Sequence, residues 1–63
     1  MNVKKLKGLM AEHGERQEDI AKLLKVHITT LNLKLQGKRE FKFSEVATLA
    51  DHYQVDINIF LSN

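Results

Sequence analysis

QEDIAKLLKVHITTLNLKLQGKREF, residues 17–41, holds two short helical patterns separated by a connection of about three residues. In the first, Gln17 to Leu24, the apolar stripe is Ile20, Leu23 and Leu24, and Ala21 is small enough for close helix contact. Glu18 and Asp19 fall in its first turn, where the helix dipole favours negative charge. In the second, Ile28 to Gln36, Leu31 and Leu35 share one face with Ile28 on its edge. At about 100° per residue, Thr29 and Leu33 point the opposite way, flanked by Asn32 and Gln36. His27 stands at the capping position, and Gly37 ends the pattern. Two short helices so joined are the helix-turn-helix layout, and Ile20, Ala21, Leu24, Val26 and Leu31 supply its apolar core.

Working outward, Val3, Leu6, Met10 and His13 recur at helical spacing with Leu9 beside them, and Gly14 supplies a stop. After Gly37, Lys38 to Phe43 reads as a loop containing Phe41 and Phe43. Ser44 is a good N-cap for a further helix to Tyr53, with Val46, Leu49, Ala50 and Tyr53 as its buried stripe. Residues 55–61 admit two readings. Asp56 caps a short helix with Ile57, Phe60 and Leu61 inward, or the apolar–polar alternation from Val55 to Ile59 makes a strand. The helix is favoured. The expected fold is all-α: one domain over residues 1–63, a compact bundle of four to five helices.

The composition excludes several classes. With no cysteine among 63 residues, there is no disulfide or thiolate metal site to staple a small core. Hydrophobic residues at 43% against 29% charged indicate a globular chain rather than a disordered one. No apolar run approaches the ~20 residues that cross a bilayer, and no signal pattern opens the chain, so a cytoplasmic protein without membrane contact is expected. His13, His27 and His52 lack the short spacing of a metal site, and no carboxylate pair or glycine-rich phosphate loop suggests catalysis. No cofactor, metal or enzyme activity is expected. The net charge of +2 is unevenly placed: +1 over residues 1–24, +4 over 25–42 and −3 over 43–63. A polyanion would meet one face, where Lys34, Lys38, Arg39 and Lys42 are candidates for phosphate contact.

The stretch from Gln17 to Phe41 resembles the DNA-binding domain of phage repressors and Cro-like proteins, shared by the xenobiotic-response-element group of bacterial regulators. The likeness extends from the first helix through SEVATLADHYQVDINIF, residues 44–60. It implies a five-helix, lambda-repressor-like fold and a transcriptional regulator that binds double-stranded DNA as a homodimer. Gln17 matches a position that touches phosphate. Ile28, Thr29, Asn32 and Leu33 match positions that face bases, and Thr30 and Lys38 match positions that face the backbone. His27, Lys34, Arg39 and Lys42 join the expected backbone contacts, and Ile59 falls at a dimer contact. The length leaves no room for a separate effector domain, which favours a Cro-like protein or a repressor's DNA-binding domain. Lys25 stands where the family usually has glycine, Arg16 where it usually has a capping residue, and Ile28 and Leu33 where many relatives carry polar side chains. Those two aliphatic residues favour a rival reading, a protein-interaction module such as an antirepressor or antitoxin that offers its third helix to a protein partner.

Overall fold

Among the described residues five helices follow one another: α1 Val3–Glu12, α2 Gln17–Leu24, α3 Ile28–Leu35, α4 Phe43–Tyr53 and α5 Asn58–Leu61. The computed structural model describes residues 1–62, and among these there is no strand. Residues 58–61 are therefore helical; the N-cap is Ile57 rather than the expected Asp56, whose carboxylate accepts from the Asn58 N–H at 2.9 Å. None of the described helices is long and apolar enough to cross a membrane.

Each helix contributes one side chain to the deepest part of the core. Leu6, Ile20, Leu31, Leu49 and Phe60 come from α1 to α5 in turn and are all but inaccessible. Met10, Ala21, Leu35, Val46, Ala50 and Tyr53 complete the cluster. Burying a large apolar side chain stabilises by about 1.5–3 kcal/mol, so these five residues carry a large part of the folding energy. Of the inner face expected for α5, Phe60 is buried and Ile57 half-buried, but Leu61 is 49% exposed. Leu61 follows the wholly buried Phe60 by one residue, about 100° round the helix, and so turns away from the core.

α4 begins one residue before its expected cap. Lys42, not Ser44, is the N-cap, and Ser44 lies inside the first turn. The choice is made by Glu45, whose Oε1 accepts from the Lys42 N–H at 2.8 Å. α2 starts in the same way, with Asp19 Oδ2 accepting from the Arg16 N–H at 2.8 Å. A carboxylate three residues into the helix thus satisfies the N-cap donor where the cap residue itself has no side-chain acceptor to offer.

The four longer helices all end in one closure. A residue in left-handed conformation donates its N–H three residues back, and the next residue donates five back. The left-handed residues are Gly14, Lys25, Gly37 and Gln54, at φ of 65°, 58°, 78° and 56°. The followers Glu15, Val26, Lys38 and Val55 bond Met10, Ala21, Leu33 and Ala50. This makes the connections short: three residues separate α2 from α3. At Gln54 the side-chain amide donates to the Asp51 carbonyl at 2.8 Å, which offsets part of the strain.

At Lys25 no such bond exists among the described residues, and a left-handed L-residue costs roughly 1–2 kcal/mol. Lys25→Gly relieves that strain, against about 0.4–1 kcal/mol of added unfolded-state entropy. Thermal unfolding is expected to show a Tm raised by a few degrees. The reverse exchange, Gly37→Ala, is expected to lower it.

Candidate functional site

The buried side of α3 is Leu31, Lys34 and Leu35. Its opposite side carries Thr29, Asn32 and Gln36, all exposed, with Leu33 at one edge of them. Leu33 is half-buried yet does not join the apolar core formed by the described residues. Ile28, at the first position of the helix, is 48% exposed. Gln36 Nε2 donates to Asn32 Oδ1 at 3.1 Å, one turn apart on this outer face. Thr30 is half-buried toward the flank, and His27 is exposed at the N-cap without a capping hydrogen bond from its ring. Gln17 is half-buried at the start of α2.

The loop after α3 brings cations to the end of this face. The Lys38 N–H bonds the Leu33 carbonyl at 2.9 Å and the Gly37 N–H bonds that of Lys34 at 3.2 Å, folding the chain back on the helix end. Lys38, Arg39 and Lys42 are exposed.

Lys34 departs from expectation. The charge pattern groups it with the phosphate-facing cations, but it is 4% exposed and lies on the inner side of α3, three residues after Leu31. Its ammonium donates to Glu45 Oε1 at 2.5 Å, and Glu45 is itself 7% exposed. The ammonium also sits 5.9 Å from the centroid of the Phe41 ring, within reach of a cation–π attraction. One oxygen of Glu45 therefore ties together α3, the end of the basic loop at Lys42 and the start of α4. The signal for this was present: Lys34 occupies an apolar-stripe position, and the next helix offers a carboxylate in its first turn. Burial pushes the Glu45 carboxyl up, but the bonds from Lys34 and the Lys42 backbone and the charges of both lysines outweigh it and hold the carboxyl below its ordinary 4.5.

A second polar cluster joins the α1–α2 connection to the end of α4. Glu15 accepts from the Tyr53 hydroxyl at 2.6 Å through one oxygen and contacts His52 Nε2 at 2.6 Å through the other. The His13 and His52 rings lie against Tyr53 with centroids 5.1 and 4.7 Å away. Burial raises the Glu15 carboxyl, but the Tyr53 and His52 hydrogen bonds and the charge of His52 and His13 more than compensate, leaving it below 4.5. The Tyr53 hydroxyl is raised by burial and by its bond to the Glu15 carboxylate. Among the described residues, no three His, Asp or Glu side chains gather as a metal site requires. Ile59, expected at a dimer contact, is half-buried against the edge of the core, and exposed Leu61 follows two residues later.

No protein-family model, curated protein or solved structure matches the chain.

Removing one partner of a buried ion pair costs about 3–5 kcal/mol, whereas replacing both by apolar groups is often neutral. Lys34→Met is therefore expected to lower unfolding free energy by about 3 kcal/mol. Glu45→Leu in the Lys34→Met background is expected to recover much of that loss, short of the Lys42 cap.

The depressed carboxyls also set an acid limit. A carboxyl that binds its proton less readily folded than unfolded stabilises the fold fully above its unfolded value, here the ordinary 4.5. That contribution disappears as pH falls through the lower folded value. Stability is thus expected to decline below about pH 5, and Glu15→Gln should flatten the decline in a pH series of urea unfolding curves.

Proposed function

We propose that the chain binds double-stranded DNA as a transcriptional regulator of the phage repressor and Cro-like kind, with α2 and α3 forming a helix-turn-helix and α3 lying in the major groove. The observation that carries this reading is the pairing of α3's polar, outward Thr29, Asn32 and Gln36 with the exposed Lys38, Arg39 and Lys42 that follow it. Groove-facing hydrogen-bonding groups flanked by phosphate-seeking cations are what a duplex requires. In this reading Ile28, Thr29, Asn32 and Leu33 face base edges. Gln17, His27 and Thr30 join Lys38, Arg39 and Lys42 on the phosphates. Lys34 has no part in contact, because its ammonium is buried against Glu45. Ile59, with Leu61 beyond it, forms the contact between two copies. The protein acts by binding alone, with neither cofactor nor metal.

A second reading is a protein-interaction module, and the observation that favours it is apolar exposure: Ile28 at 48% and Phe43 at 68%. A protein partner would use such groups as buried anchors.

Salt dependence separates the two. Three lysine and arginine contacts per protomer give a dimer about six, so the log of affinity should fall with log salt at a slope near −5. Lys38→Ala is expected to weaken binding to every duplex alike and to make the slope shallower by about 2. Affinity that does not change between low and moderate salt would overturn the DNA reading.

A further inference from the structure

Lys34 is the only lysine or arginine among the eight residues of α3, and it is buried against Glu45. The groups left on the outer side of the helix are two amides, a threonine and two aliphatic side chains. In the major groove, guanine is read chiefly by a cation donating to its N7 and O6. Adenine offers an acceptor at N7 beside a donor at N6, and thymine offers a methyl group. α3 lacks the first kind of reader and carries both of the others.

We propose that the outer face of α3 is a reader of A·T base pairs, with the Asn32–Gln36 amide pair taking adenine and Ile28 and Leu33 taking thymine methyl groups. This rests on the DNA-binding reading above. The bond between the two amides uses one oxygen and one amino hydrogen. Whichever way round the amides lie, the pair retains one free carbonyl oxygen and one free amino group, both on exposed residues. That is the complement of the adenine edge. Against guanine, with acceptors at both positions, the free carbonyl would meet another acceptor and lose its partner. The hydrogen bond also holds both long side chains in place before DNA arrives, so less rotamer entropy is lost on binding. Ile28 and Leu33 lie at the two flanks of the amide pair, where apolar contact rewards a methyl group and a cytosine supplies none. The Thr29 hydroxyl hydrogen-bonds with any base, and its methyl group, like Ile28 and Leu33, can meet only a thymine methyl. The competing account is that Asn32 and Gln36 form an ordinary surface pair one turn apart, which steadies an isolated helix slightly and reads nothing.

The experiment enriches duplexes from a random pool with the full chain, then alters single bases in the enriched site. Replacing thymine by uracil removes only the methyl group, and replacing adenine by 7-deazaadenine removes only the N7 acceptor. Both changes are confined to the major groove and leave the protein untouched. The enriched half-site is expected to be A·T-dominated where α3 contacts it. Uracil at a contacted position should weaken binding about fourfold, the worth of one buried methyl group. 7-Deazaadenine should weaken it about tenfold, at the low end for a bidentate base contact. Leu33→Ala or Ile28→Ala should abolish the uracil effect at one position, and Asn32→Ala with Gln36→Ala should abolish the 7-deazaadenine effect. Enrichment of G·C pairs at the contacted positions would overturn the proposal. So would unchanged affinity for both altered duplexes alongside steep salt dependence, which would leave DNA binding standing with the amides as a helix-surface pair. Absence of salt-dependent duplex binding would overturn this proposal and the functional reading together.

Discussion

The ion pair between Lys34 and Glu45 is where the middle of the molecule is held together. Each charge is almost wholly removed from water, which costs several kcal/mol per ion and is recovered only when the geometry is good and the remaining valences are filled. Here the Glu45 oxygen takes both the Lys34 ammonium and the Lys42 N–H, and Phe41 closes over the cation. No buried side-chain nitrogen or oxygen among the described residues is left without a partner. The pair therefore does more than join two helices. It selects Lys42 as the N-cap of α4, anchors the far end of the loop that carries Lys38 and Arg39, and joins the side of α3 that Leu31 and Leu35 turn inward. The outer face of α3 is what remains.

That arrangement has a chemical side effect. A lysine drawn into the core is a lysine withheld from the surface, so the helix presents amides and aliphatic groups while its neighbouring loop presents cations. Positive charge and the hydrogen-bonding and apolar groups of α3 are thus placed on separate segments. Under the proposed DNA-binding reading, one set of residues would govern how strongly a duplex is held and another which duplex is preferred.

Much of this was legible in the sequence. α2 and the starts of α1 and α3 follow from the spacing of Leu6, Ile20, Leu31 and their neighbours, because a strong apolar stripe leaves little freedom in how a helix is turned. Gly14 and Gly37 marked two helix ends through their left-handed preference. The other two ends could not be read the same way. Lys25 was suspect only through a family likeness, and Gln54 gave no sign, since neither residue favours positive φ and it is the tertiary packing of Val26 and Val55 that imposes it. Lys34 was misplaced because lysine is treated as a surface residue by default, and only the fold brings Glu45 beneath it. Leu33 proved neither core nor fully exposed. The N-cap of α4 lies two residues before Ser44, the better cap in isolation, because Glu45 offers the Lys42 amide its acceptor.

The first and last described segments meet. The Asn2 N–H donates to the Phe60 carbonyl at 2.6 Å, while the Asn2 side chain caps α1 by accepting from the Lys5 N–H at 3.1 Å. Phe60, wholly buried, reaches the centre of the core from the other end of the chain. The polypeptide is in effect a ring closed without a covalent bond. Residues 2 and 60 are tied together: pulling on one loads the other, and Phe60 transmits directly to the five-residue centre. Mechanical force applied between residue 2 and residue 60 would load this closure first, in the manner of a clasp, before any helix is drawn out. The domain should therefore yield in a single event at low extension rather than unravel helix by helix.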